Sequence, residues 1–328
     1  MKYFLFSPLV MISCFSFAQD CSKELLRGKP GTWKKGPQGI IHNINTADLA
    51  REKTVLDSIF QMIKSKYSPT GCQISYGTIF GKEPSAGENY IADPYLLSMY
   101  VLRFLCDKNS SDKSKYYVDV STTTTVNVTV NTIYSLNNLY AANIPPDDFR
   151  GYLKLKQRPQ QKNGVWFMGE EIVGDRGTPY ELKEYRWLIT YGDPLPFKYL
   201  NRREYLLIQK KRLEKALKDS PGEKDYTNQY IHNVNEYLKK PEDELNQPAI
   251  GMWNDEERFE KFVAEGTNGS FIAVVPNLSY YRPNLPKSSP QFFTVIYKIA
   301  AGDPVFEDNI SAFQKAIDFS RLKNMLGK

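Results

Sequence analysis

Apolar positions recur at helical spacing over 46–67, where Leu49, Leu56, Phe60 and Ile63 fall on one stripe. Asn45 precedes that stretch as a cap with Asp48 three residues on, and Ser68-Pro69-Thr70-Gly71 ends it. The period then changes to two. "CQISYGTIF" at 72–80 places Cys72, Ile74, Tyr76 and Phe80 on one face, 94–106 reads as a second strand, and within 115–134 Val126, Val128 and Val130 alternate with polar partners.

"NIPPDD" at 143–148 marks a boundary. Beyond it strands are predicted near 151–157, 164–173 and 183–191, the last with Tyr185, Trp187, Ile189 and Tyr191 on one face. A helical pair follows: Asn201 caps the first helix with Glu204 three residues later, and Ser220, Pro221 and Glu223 open the second, which ends near Lys240. The last third reads as a short helix from Asn254, strands near 270–276 and 291–299, and a terminal helix over 307–326. The expected class is α+β, with antiparallel sheets packed on helices; the helix-then-strands opening resembles cystatin-like and nuclear-transport-factor-like layouts. The expected organisation is a signal peptide at 1–18, a flexible lead-in at 19–45, a helix with antiparallel strands at 46–145, and a region at 146–328 that is either a second domain or one unit with the first.

Lys2, the apolar run 3–17 and Ser16-Phe17-Ala18 ahead of Gln19 read as a secretory signal cut after Ala18, which implies the periplasm or cell envelope of a Gram-negative bacterium. A lipoprotein signal with Cys14 lipidated is the competing reading, although Met11 fits that pattern poorly. No transmembrane segment is expected after cleavage, because 95–106 is short and carries Ser98 and Arg103. The net charge of +6 is a mild excess, and the densest basic cluster, Lys210-Lys211-Arg212, shares its helix with Glu204 and Glu214. Nucleic acid is therefore not an expected partner. Of the four cysteines, Cys14 leaves with the signal. In an oxidising compartment a 72–80/94–106 hairpin with its turn at "SAGENY" predicts a cross-strand Cys72–Cys106 disulfide and leaves Cys21 over.

Catalytic signals are sparse. The chain has two histidines, His42 and His232, neither within a motif, so no metal site and no cofactor are expected. Carboxylate chemistry needs only two acids, and Glu170, Glu171 and Asp175 after the aromatic strand "VWFMG" are the candidates, although neighbours on a strand point to opposite faces. Asn254 with Asp255, Glu256 and Glu257 has the composition of a capped helix start. Sequons occur at Asn109, Asn127, Asn268, Asn277 and Asn309, and Asp57-Ser58-Ile59 matches a short bacterial O-glycosylation motif. "NLSYYRPNLPKSSPQFF" at 277–293 combines prolines with aromatic rings. Tyr280, Tyr281 and Arg282 there are candidate ligand contacts, and covering a sheet edge is the competing role.

"PNLSYYRPNLPKSSPQFFTVIYK", "FRGYLKLKQRP" and "KEYRWLITYGDPLPFKYLNRREYL" are similar to a group of uncharacterised exported proteins of Bacteroidota. The resemblance spans most of the mature chain; it implies an envelope location and carries no activity or site residues. The sequence reading is an exported, non-enzymatic scaffold that recognises an envelope protein, peptide or glycan through aromatic loops. A carboxylate-dependent hydrolase of glycans or peptidoglycan is the alternative, and a purely structural envelope component the third.

Overall fold

A computed structural model describes residues 21–36, 39–42, 44–81, 92–121, 123–132, 151–173, 177–178, 181–219, 222, 224–252 and 259–328. The signal segment, Cys14, Asp175 and the predicted helix start at Asn254 lie outside them. The first half contains α1 (Lys23–Arg27), β1 (Thr32–Lys35), α2 (Thr46–Lys66), β2 (Cys72–Ile79), β3 (Tyr95–Cys106), β4 (Tyr116–Val118) and β5 (Thr125–Val130). The second half contains β6 (Leu153–Leu155), β7 (Gln160–Lys162), β8 (Val165–Val173), β9 (Leu182–Ile189), β10 (Phe197–Tyr199), α3 (Arg202–Asp219), α4 (Lys224–Tyr237) and α5 (Glu242–Leu245). It closes with β11 (Ile250–Met252), β12 (Ser270–Pro276), β13 (Phe293–Ala300), α6 (Pro304–Ala316) and α7 (Phe319–Lys323). The protein is α+β, with sheets packed against helices.

Local chemistry accounts for the ends of the long helices. Asn45 Oδ1 accepts the Asp48 N–H at 2.9 Å to start α2. Asn201 and Glu204 form a reciprocal box at α3, with Glu204 N donating to Asn201 Oδ1 at 2.8 Å and Asn201 N to Glu204 Oε2 at 3.0 Å. Asp303 Oδ1 accepts the Val305 N–H at 2.9 Å, and Pro304 follows where a missing N–H costs nothing.

The strands form two sheets. A nine-stranded sheet runs β1-β2-β3-β5-β13-β9-β8-β7, with β4 on β3, and takes strands from both sides of 143–148. A four-stranded sheet has β12 at its centre, with β10, β11 and β6 paired to it. Alternation sorts their side chains into layers. Val126, Val128, Val130, Val295 and Tyr297 point to one side of the large sheet and join α2, α6 and α7 through Ile59, Phe313 and Leu322. Leu188 and Met168 on the opposite side meet Leu153, Leu155, Ile272 and Val274 of the small sheet. The far face of the small sheet, with Tyr152, Phe271 and Ala273, packs on Tyr205, Leu206 and Val234 of α3 and α4. The order is helices, large sheet, small sheet, helices. The small sheet reaches only the β8–β9–β13 end of the large one, since the cluster between the sheets contains no residue of β1, β2 or β3. Among the described residues no helix is long and apolar enough to cross a membrane.

Two expectations are corrected here. The segment read as a flexible lead-in contains α1 and β1, and β1 pairs in parallel with β2 from Thr32 beside Gln73 to Lys35 beside Tyr76. Glycine and proline there mark close approaches rather than freedom. The disulfide is Cys21–Cys106, and Cys72 is a buried free thiol. The 72–79/95–106 hairpin does form, but its register sets Cys72 opposite Arg103. An odd offset of three residues from Arg103 puts Cys106 on the other face of β3, so Cys72 enters the helix-side core while Cys106 points toward Cys21. Burial pushes the Cys72 thiol up to about 12.

Candidate functional site

The carboxylates singled out in β8 sit beside a bulge. Register shifts between Phe167 and Gly169, where φ is +126° and an added Cβ would lie 2.6 Å from Gln157 Nε2, so the position requires glycine. Beyond the bulge Glu170 stands opposite Tyr185, and Glu171 stands opposite Glu184 on the other face. Only Glu171 faces the space between the sheets. Lys156 Nζ lies 3.5 Å from Glu171 Oε1, and Arg186 is ion-paired to Glu184. Burial raises the Glu171 carboxyl above its ordinary range, while Lys156 and Arg186 oppose the shift. The recess these residues line has a volume of about 10 Å³, the room of about one water molecule. A glycosidase must place its two acids on either side of a sugar ring, and no ring enters there. Two acids and two bases thus neutralise one another at the seam.

The 277–293 loop seals the same seam farther along. Tyr280 is buried, donates its hydroxyl to the Gln291 carbonyl at 2.7 Å and meets Tyr281 edge to face at 5.6 Å between ring centroids. Burial pushes both phenols up. Arg282 places its guanidinium 3.7 Å from the Tyr191 ring centroid. Gln291 ties the loop together, its Oε1 accepting Tyr191 OH at 3.1 Å and its N–H donating to Asn131 Oδ1 at 2.7 Å. Tyr280, read from the sequence as a candidate ligand contact, turns its ring into the inter-sheet cluster. The stiff aromatic stretch serves as a cover, with Phe292 and Tyr280 within the inter-sheet cluster and Tyr281 packed against it.

A second polar network closes the end of the large sheet where β2 and β5 stop and β3 and β13 begin. Asn131, at φ 56° just past β5, donates to the carbonyls of Asp93 at 3.1 Å and Ser289 at 3.0 Å. Tyr95 OH donates to the Ser288 carbonyl at 2.9 Å, and Ser288 Oγ bridges Asp48 at 2.5 Å and Arg51 at 2.7 Å. Beside them Glu52 of α2 is 0% exposed. Its Oε2 accepts the Gly81 N–H at 2.9 Å, and Oε1 has no hydrogen-bond partner among the described residues. Burial raises this carboxyl to about 8, with the charges of Asp93 and Asp48 pushing the same way and the Gly81 N–H opposing. Sequence reading missed Glu52, yet the signal was there: it occupies the apolar stripe of α2 between Leu49 and Leu56.

The open concavity lies on the other face of β2 and β3, beyond the reach of the small sheet. Cross-strand pairs Ser75–Tyr100, Gly77–Ser98 and Ile79–Leu96 line its floor. The chain after β1 forms a wall along β2: Gly36 N–H donates to the Tyr76 carbonyl at 2.7 Å and Phe80 N–H to the Ile40 carbonyl at 3.0 Å. Gly39 comes so near that a Cβ would fall 1.4 Å from the Thr78 carbonyl oxygen. A Cβ on Gly77 would meet nothing within 4 Å, which keeps the floor open. The groove measures about 250 Å³; Ile40 is 58% exposed, Tyr100 is 44% exposed, and no charged side chain lines it among the described residues.

His42 runs beside β2 through its backbone, donating its N–H to the Phe80 carbonyl at 2.9 Å, and His232 lies in α4. No group of three or more His, Cys, Asp or Glu that could hold a metal occurs among the described residues. Comparison with protein-family models, curated proteins and solved structures finds no match to this chain.

Proposed function

We propose that the protein is an exported envelope scaffold that acts by binding, with the groove over β2 and β3 as its ligand surface and an uncharged glycan segment as its ligand. The observation that carries this reading is the groove itself: about 250 Å³ of open space on a sheet face, an exposed ring at Tyr100, hydroxyls from Ser75 and Ser98, and no charged side chain among the described residues that line it. A ring face beside serine hydroxyls suits a sugar, whose apolar face packs on an aromatic and whose hydroxyls exchange hydrogen bonds with serine. The ligand surface thus moves from the aromatic loop to the sheet face. The hydrolase alternative draws no support from Glu171, whose recess admits about one water.

Calorimetric titration with neutral oligosaccharides released from a bacterial envelope tests the reading. We expect saturable binding that Tyr100→Ala weakens at least tenfold and Gly77→Leu, which fills the floor, abolishes. Binding unchanged in both folded variants, or no binding by the wild type, would overturn it.

A further inference from the structure

Glu52 sits where a carboxylate is worst placed and a carboxylic acid is tolerable. It is fully buried, one oxygen takes the Gly81 N–H at the exit of β2, and the other has no partner among the described residues. Among the described residues, the like charges of Asp48 and Asp93 act on it. Asp48 and Arg51 come from its own helix, but Arg51 Nη1 is engaged by Asp48 at 2.9 Å and Ser288 at 2.7 Å. Asp93 and Tyr95 come from β3 and its approach; the charge of Asp93 pushes the Glu52 carboxyl up, and Glu52 in turn pushes the Tyr95 phenol up. Lys287 contributes through its backbone carbonyl, which accepts the Asp93 N–H at 2.8 Å. His42 borders Gly81 through its backbone, with its carbonyl oxygen 3.4 Å from where a Gly81 Cβ would stand.

We propose that Glu52 is a proton-operated latch: held as the neutral acid, it ties α2 to the exit of β2, and its ionisation loosens that end of the large sheet. The step is the loss of one proton to solvent. It leaves a carboxylate with a single backbone N–H to solvate it among the described residues and with Asp48 and Asp93 as neighbours, an arrangement relieved by letting water in. Opening of the β2 exit is the nearest route, because Gly81 is the only hydrogen-bond donor to Glu52 among the described residues. The folded chain keeps a proton that the unfolded chain releases near the ordinary glutamate value of 4.5, up to a folded value of about 8. Stability from this group is therefore complete below the unfolded value and is lost as pH rises through the folded one.

Urea unfolding of wild type and Glu52→Gln from about pH 5 to 9, with amide exchange at 72–81 corrected for its intrinsic pH dependence, tests the latch. In the wild type the unfolding constant should rise by up to about tenfold per pH unit across the window, and the Gly81 amide should open at least about tenfold more at pH 9 than at pH 6. Glu52→Gln, which keeps the shape of the neutral acid, should lose both trends. Parallel curves for the two proteins would overturn the proposal. If Glu52→Gln fails to fold, the wild-type infrared spectrum decides. A protonated-carboxyl band at neutral pH that disappears as the Gly81 amide opens supports the latch, and no such band at neutral pH overturns it.

Discussion

Glu52 and Glu171 are both glutamates withdrawn from water, and in both burial raises the carboxyl. They differ in company. Glu171 has Lys156 at 3.5 Å and Arg186 nearby, so a second acid, Glu184, can stand directly across the strand pair. Glu52 has Asp48 and Asp93, while Arg51, the cation at hand among the described residues, is drawn off to Asp48 and Ser288. The first setting holds a charge in a network and the second expels it. Burial makes an acid costly, and neighbours decide whether the cost is met by an ion pair or by a proton.

The sharpest break in this comparison would come from Arg186→Ala. It strands Glu184 at the seam, and urea denaturation at neutral pH should show a loss of about 3–5 kcal/mol. A loss no larger than that of Arg27→Ala, whose partner Asp308 is equally exposed at 51%, would make the seam network no better than a surface pair. Asp93→Asn works on the other site. By removing a like charge it should move the pH-dependent loss of stability to lower pH and stabilise the protein by about 1 kcal/mol above pH 8, read from the same denaturation series. The smallest effect should be that of Glu171→Gln, within about 1 kcal/mol at neutral pH, because the 45%-exposed Lys156 can turn to water when its partner loses charge. A change of several kcal/mol there would assign Glu171 a role beyond the network.

The elements themselves were legible wherever one face is buried, because burial imposes periodicity. The α2 stripe, the Val126-Val128-Val130 alternation and the Asn201–Glu204 cap stand as the sequence predicts. What periodicity does not encode is pairing at a distance. β13 enters between β5 and β9, and the partners Phe293 and Val130 are too far apart in the chain for any local signal to join them. The same gap misdirected the disulfide, since strand alternation was readable but the three-residue register offset depends on the turn. Gly36 and Gly39 read as slack because glycine marks both freedom and close approach, and only the neighbouring strand distinguishes the two. The groove went unseen because attention to the core face of "CQISYGTIF" passed over Ser75, Gly77 and Ile79 on the opposite one. Tyr280 misled for the converse reason, as the rings that suit a binding platform equally suit a buried cover.

The Cys21–Cys106 bridge skips a cysteine, and this bears on the order of events during oxidative folding. In any chain oxidised as it emerges N-terminal end first, Cys72 follows Cys21 well before Cys106 arrives. The first available pair is then a wrong one. Reaching the native bond requires either that β2 bury Cys72 against α2 before oxidation or that a mixed disulfide be exchanged, which needs an attacking thiolate. The same burial that raises the Cys72 thiol to about 12 withdraws it from exchange once the hairpin has formed. Packing of one strand thereby acts as a proofreading step for a bond made elsewhere in the molecule.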